Sequence, residues 1–357
     1  MECSDIIFGC ANVAQTVEQL IRNEKVEGSI PFIGTTSVKS NSFDCIVRSS
    51  GSEVKKTNGL LAVNPFNLRA SIAHQVRQMT GGKGPPTAFL EPQGDSGLFG
   101  PQSMVWRVHA HFVPMLVGGL SSLLLQALHP LALAGVWDHS SFRQDLKARL
   151  GRTAFYIAST SYGGREMAMQ SINRVRNIHL AVTGALPDGT PYRADDPVLL
   201  KWVHLGEVLS FLGAYQQFGE TPLAIGQDDQ YIQEMALLGE LLGAEALPHR
   251  VSEANWMLQS YRSELVYDDR TRSVVNLIEN FPCRTTDKPV LKLVIAAAFH
   301  LLPDWALLML GKPPASAAEK LFVRHALKLV AKPIDWALDS EGVAAYSRKR
   351  VGSNTAS

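Results

Sequence analysis

Asp195–Phe218, DDPVLLKWVHLGEVLSFLGAYQQF, is the stretch whose reading decides the fold. Asp195-Asp196-Pro197 is a helix opening, an acidic cap followed by a proline that lacks only an N–H the first turn leaves unused. Leu200, His204, Glu207, Phe211, Tyr215 and Phe218 then recur at three and four residues, the period that puts side chains on one face of an α-helix. His204 therefore faces inward on a long apolar helix. Glu207, one turn on, reads first as a helix-stabilising carboxylate and second as a group that orients His204 or acts as a base.

The same period extends outward on both sides. Upstream, Ala168, Ile172, Val175, His179 and Val182 repeat at four, three, four and three after Gly163-Gly164, which predicts a second helix with an inward histidine. Before it, Phe142, Leu146 and Leu150 mark a buried stripe. Arg149, Arg152, Thr153 and Tyr156 share a neighbouring face, so two guanidinium and two hydroxyl groups stand on one wall. Between these helices and the long one, Pro187-Asp188-Gly189-Thr190 is a turn. Phe112–Trp137 carries no Lys, Arg, Asp or Glu and is long enough to span a bilayer. The Gly118-Gly119 pair, Ser121-Ser122, Gln126, His129 and Pro130 interrupt it, and a buried helical hairpin is the preferred reading.

Nearer the N-terminus, Leu68, Ile72, Val76 and Met79 follow the Asn64-Pro65 cap, and Gly81-Gly82 ends that helix. Residues 83–101 read as a Gly- and Pro-rich surface loop, and a short helix from Ser103 carries Trp106 and His109. Downstream helices are expected around Tyr231–Leu242, Trp256–Leu265, Leu291–Leu310 and Lys320–Leu338. No alternating run predicts a strand, so the chain reads as all-α, one multi-helix domain over residues 63–350. Residues 1–62 hold three of the four cysteines and no sustained period. Val17–Gly34 resembles the translation of a transfer-RNA gene, so this extension is expected to be disordered or to arise from a misassigned start.

Composition excludes several function classes. With 46% hydrophobic residues the chain can bury a large core, and 34 basic against 33 acidic residues leave no cationic footprint for nucleic acid. Cys3, Cys10, Cys45 and Cys283 form neither a disulfide framework nor a metal knuckle, which fits a reducing, cytoplasmic setting. Acidic Glu2 and Asp5 precede any apolar run, unlike a secretory signal peptide. Peripheral association with a membrane stays open, and oligomeric state has no signature. Phosphate loops, dinucleotide fingerprints, H-E-x-x-H and G-x-S-x-G are all missing from the sequence.

What remains is three inward histidines, His129, His179 and His204, on apolar helices with arginines close by. A haem site needs a neutral axial imidazole, an apolar pocket and groups that neutralise propionates. Any one such histidine is more often a hydrogen-bonded core residue. Arg149 and Arg152 read equally well as an interhelical salt-bridge pair. A di-iron centre would want repeated Glu-x-x-His pairs, and only the reversed His204-x-x-Glu207 is present.

A series of motifs carries a resemblance. Gly97-Leu98-Phe99-Gly100-Pro101, Trp106-Arg107-Val108-His109, Leu123-Leu124-Leu125-Gln126-Ala127-Leu128-His129-Pro130, Phe142-Arg143, Arg149-x-x-Arg152-Thr153, Arg174-x-Arg176-x-x-His179 and Trp202-Val203-His204 together resemble the rubber oxygenase and MpaB-type ER-bound oxygenase catalytic-domain family. The resemblance implies a helical fold enclosing a b-type haem, with dioxygen as co-substrate and cleavage of an isoprenoid C=C bond to carbonyl products. It implies His179 as the axial iron ligand, with Arg149 and Arg176 as further haem-holding groups. Arg149, Arg152 and Thr153 match a motif in which relatives place arginine, lysine and threonine near the haem. Arg152 stands at the lysine position, and a guanidinium that stays protonated is a poor iron ligand. The resemblance therefore implies here an open or water-occupied distal side. His129 and His204 take distal or supporting roles. The expected substrate is a small apolar unsaturated molecule, and the alternative is a haem- or lipid-binding helical protein without turnover.

Overall fold

The computed structural model describes residues 65–79, 86–283, 285 and 287–352. The reading of residues 1–62, the Asn64 cap and the Gly81-Gly82 stop lie outside the described residues. Within them the chain runs as α1 (Pro65–Met79), a 3-10 turn at Thr87–Leu90, α2 (Met104–Val108), α3 (Phe112–Gln126), α4 (Pro130–His139), α5 (Leu146–Tyr162) and α6 (Arg165–Ala181). Strands β1 (Thr183–Ala185) and β2 (Pro191–Arg193) follow, then α7 (Pro197–Phe218), α8 (Gln227–Leu242), α9 (Val251–Ser260) and a 3-10 turn at Tyr261–Glu264. The last elements are α10 (Asp269–Glu279), α11 (Lys288–Leu301), α12 (Asp304–Met309), α13 (Ala317–Glu341) and α14 (Val343–Gly352). The fold is all-α apart from one antiparallel pair, in which Gly184 faces Tyr192. The turn read at Pro187–Thr190 closes that unforeseen hairpin, whose three-residue strands are too short to show alternation.

The core is built on α3 against α7. Trp202, Leu205, Val208 and Ala214 of α7 are fully buried, as are Val117 and Leu124 of α3. The two backbones approach so closely that a Cβ on Gly118 would lie 2.8 Å from Phe211 Cδ1 and 3.0 Å from the Ser210 carbonyl oxygen. Phe112–Trp137 is not a hairpin. It breaks between α3 and α4 into an elbow of 107°, and most of α3 is buried. His129, extended in backbone, directly precedes α4 and Pro130 fills its first turn, so the break follows from proline chemistry. By length and composition α7 is the one described helix able to cross a membrane, and most of it is buried.

Other boundaries shift for local reasons. The expected helix over Leu291–Leu310 is broken at Leu302-Pro303 into α11 and α12, and Trp256–Leu265 is α9 plus a 3-10 turn. Ser103 caps α2 by accepting from Trp106 N at 3.1 Å, and His109 sits at its C-cap. Both α10 and α14 escape the periodic reading. The inward side of α14 carries Ser347 and Arg350, both fully buried, where an amphipathic pattern would show apolar residues.

Arg350 also shows why residues 86–101 are more than a surface loop. Its Nε donates to the Asp95 carbonyl at 2.7 Å, Nη1 to Phe89 at 3.0 Å and Nη2 to Tyr162 at 2.8 Å. Ser347 Oγ donates to the same Tyr162 oxygen at 2.8 Å. The C-terminal helix thus ties the loop to the end of α5, where a Cβ on Gly97 would collide with the Gly163 carbonyl. Replacing Arg350 by alanine strands buried carbonyl oxygens and is expected to cost about 3 kcal/mol. The urea midpoint of the variant measures that loss, and an unchanged midpoint contradicts the clamp.

Candidate functional site

The sequence-predicted residues occupy three places. Arg149 stands in the second turn of α5, whose start Asp145 caps by accepting from Ala148 N at 2.9 Å. Its Nη1 donates to Ser140 Oγ at 2.9 Å, and burial, then the charge of Arg152, lowers its proton affinity. Among the described residues it is the one charged group lining a partly open, mainly apolar cavity of about 70 Å³, walled among others by Leu123, Leu133, Phe142, Val203 and Leu277. Arg152 and Thr153 lie on the same helix and are exposed, with Thr153 Oγ1 donating back to the Arg149 carbonyl at 3.2 Å.

His179 closes the last turn of α6 and is half-buried. Its Nδ1 is buried, and among the described residues no group hydrogen-bonds either ring nitrogen. Burial lowers its pKa and the Asp195 carboxylate opposes that shift, so the ring is neutral near pH 7 with a lone pair free. Its electrostatic partner is Asp195, not Arg149 or Arg152. Arg176 is exposed. Arg174, Asn177, Ile178 and Val182 line an open groove of about 800 Å³ beside His139.

His129 and His204 are brought to opposite sides of α7. His129 is buried against the rings of Trp202 and Tyr261, at 5.8 Å and 6.2 Å, with Nε2 3.6 Å from the Glu264 carboxylate. Burial lowers its pKa, while Glu264 and Asp196 pull it back up. His204 follows Trp202 by two residues, about 200° around the helix. Its ring rests on Gly239 of α8, where a Cβ would lie 2.9 Å from Nδ1, 3.1 Å from Cε1 and 2.5 Å from Leu247 Cδ1. Burial takes its pKa down to about 4 and leaves Nε2 without a partner. The two histidines therefore cannot serve the same pocket without α7 turning.

A fourth cluster gathers residues that the sequence named separately, His109 in a family motif and Glu207 and Tyr156 on helix faces, with Ser161 and Tyr231. His109, directly after α2, is buried with Nδ1 2.7 Å from Ser161 Oγ and Nε2 2.9 Å from Tyr231 OH. Its ring meets Phe211 at 5.3 Å, and burial takes its pKa down to about 3. Glu207, one turn below Phe211, has its carboxyl pushed up to about 7 by burial. Its charge in turn raises Tyr231 and Tyr156, after burial in each case, and the buried Tyr156 hydroxyl has no partner. Helices α2, α5, α7 and α8 thus enclose two phenols, an imidazole and an acid that is half-protonated near pH 7. Partners 52 and 122 residues away leave no periodic trace around His109.

The neighbouring Arg107 explains the rest of that motif. It donates outward to Tyr215 OH at 3.0 Å, Gln227 Oε1 at 2.8 Å and the Pro222 carbonyl at 2.9 Å, which holds the α7–α8 connection. Trp106 offers its carbonyl to Tyr162 OH at 2.8 Å.

The motif that begins at Trp106 also marks where the chain matches a known family. A family model described as ER-bound oxygenase mpaB/B'/Rubber oxygenase, catalytic domain, matches residues 106–332. The chain belongs to this family. It is accordingly an oxygenase, an oxidoreductase that uses dioxygen. The family span begins at the Trp106 motif and ends within α13, so the Arg350 clamp lies beyond it. No curated protein and no solved structure matches the chain.

Two outcomes follow for this oxygenase. Glu207 titrates at about 7 in the fold against an ordinary 4.5, so between those values the folded state keeps a proton that the unfolded chain has lost. The contribution of this carboxyl to stability falls as pH rises through that window. His109 and His204, held below their ordinary 6.5, act in the opposite sense and lose stability as pH falls. Glu207→Gln is expected to raise the thermal midpoint relative to the parent at neutral pH and to leave it unchanged in acid; equal profiles contradict the assignment. Gly239→Ala drives a methyl into His204 and Leu247, at a cost of about 1–3 kcal/mol read from chemical denaturation.

Proposed function

We propose that the chain is a haem b-dependent oxygenase that acts on a small, apolar, unsaturated substrate of isoprenoid type by oxidative cleavage of a C=C bond. The observation that carries this reading is His179, a neutral imidazole without a hydrogen-bond partner, one of whose ring nitrogens is fully buried, at the end of a helix inside the family's span. A buried, unpaired polar atom is costly unless something outside the chain completes it, and iron bound by imidazole does so. The haem, when bound, supplies the activation of dioxygen.

The chain's own residues supply placement and protons. Arg149, half-buried with one edge on Ser140, presents a fixed positive charge to an anionic group. Arg152 and Arg176, exposed nearby along α5 and α6, add cationic surface. The small cavity beside Arg149 holds a few methylene groups and suits one end of a hydrocarbon chain rather than a porphyrin. Apolar walls of this kind discriminate by length and shape. Glu207, near half-protonation at neutral pH, can give or take a proton inside the helical bundle, with Tyr156 and Tyr231 beside it.

The test is an absorption spectrum and a pyridine haemochrome assay on purified protein expressed with a haem precursor, followed by oxygen consumption with isoprenoids. A stoichiometric b-type Soret band, lost in His179→Ala and only altered in shape in Arg152→Ala, is expected. Full haem occupancy in His179→Ala overturns the ligand assignment, and haem binding with no oxygen uptake on any isoprenoid favours a carrier.

A further inference from the structure

The most hydrophobic stretch of the chain, Phe112–Trp137, is largely consumed in the core, and the apolar surface left uncovered lies elsewhere. On α13, Phe322 is 67% exposed, Leu329 68% and Trp336 43%. They stand seven residues apart, two full turns, and so form one stripe about 21 Å long at a rise of 1.5 Å per residue. Leu321, 55% exposed, widens its N-terminal end. The opposite side of the helix, Val323, Leu327, Val330, Ile334 and Ala337, is buried against the body of the protein. The stripe is therefore a second apolar face on a helix whose first face is already satisfied.

Charge along α13 is sorted. Its carboxylates all face partners on other elements: Glu319 lies 3.6 Å from His300, whose pKa burial lowers, Asp335 meets His111 at 3.3 Å, Asp339 meets Arg69 and Arg348 at 3.8 Å and 3.6 Å, and Glu341 meets Arg77 at 3.9 Å. Lys328 and Lys332 stand four residues apart along one edge of the stripe. Among the described residues neither has a carboxylate partner, while Arg324, on the far side of the helix from Phe322, donates to the Gln217 carbonyl at 3.0 Å. A pair of lysines without carboxylate partners beside Leu329 and Trp336 complements an anionic headgroup layer over an apolar interior.

We propose that α13 docks this protein on an anionic lipid surface, lying in the interfacial plane with Phe322, Leu329 and Trp336 inserted and Lys328 and Lys332 against lipid phosphates. A bilayer is also the phase in which an isoprenoid dissolves. That link to substrate supply rests on the haem oxygenase reading, whereas lipid binding is measured without turnover and stands or falls separately.

The experiment is flotation of the full chain with vesicles of phosphatidylcholine alone and of phosphatidylcholine mixed with phosphatidylglycerol, at low and high salt. Binding to the mixed vesicles that weakens with salt is expected. Lys328→Gln with Lys332→Gln lowers that affinity by roughly tenfold or more, at about 1 kcal/mol for each charge near the surface. Phe322→Asp with Leu329→Asp abolishes it while the thermal midpoint stays that of the parent, because both side chains are exposed. Absence of binding to anionic vesicles overturns the proposal, as does undiminished binding of the Asp variant. A concentration-dependent dimer that the Asp variant loses, without vesicle binding, overturns it in favour of a second copy of this chain.

Discussion

Where α3 crosses α7, the Phe211 ring and the Ser210 carbonyl occupy the space that a side chain on Gly118 would take. Two helix backbones can approach this closely only if one presents a residue without a Cβ, and the approach sets the level at which every other element meets α7. Phe211 holds His109 from the other side. The α3–α4 elbow places His129 on Trp202, and α8 brings Gly239 to His204. The polar interior is thus arranged by an apolar contact.

That interior leaves several polar groups incomplete. Buried polar atoms are ordinarily paired, yet His129, His179, His204 and Tyr156 each hold a buried atom without a hydrogen bond. His109 is the contrast, with both nitrogens satisfied by Ser161 and Tyr231. Satisfied groups of this kind stabilise one packing arrangement. Unsatisfied ones mark where the fold accepts a stability cost. The neutral state of the histidines has the same origin, since burial removes the water that would stabilise the imidazolium.

The family span and the physical domain differ in extent. The match ends within α13, whereas the Arg350 clamp on α14 fastens residues 89–97 to the end of α5, near the Gly163–Gly164 turn into the helix that bears His179. The family segment is therefore braced by a helix outside the matched span. Such a brace is invisible to periodicity, because its inward residue is an arginine that three carbonyl oxygens make tolerable in the interior.

Periodicity is a local property, and it carried what depends on local geometry. The helical class, the inward faces of α6 and α7, the Ser103 and Asp196 caps and the break before Pro130 all follow from a spacing of three to four residues and from backbone chemistry. The motif series was equally legible, and with it the oxygenase family. What one helix face meets is decided by elements tens or hundreds of residues away. Tertiary packing alone set His129 and His204 on opposite sides of α7, assembled Ser161, His109 and Tyr231, raised Glu207 and turned Arg350 inward. It also covered the apolar Phe112–Trp137 and left the weaker stripe of α13 bare, because burial is assigned by which surfaces fit together and not by which segment is most hydrophobic.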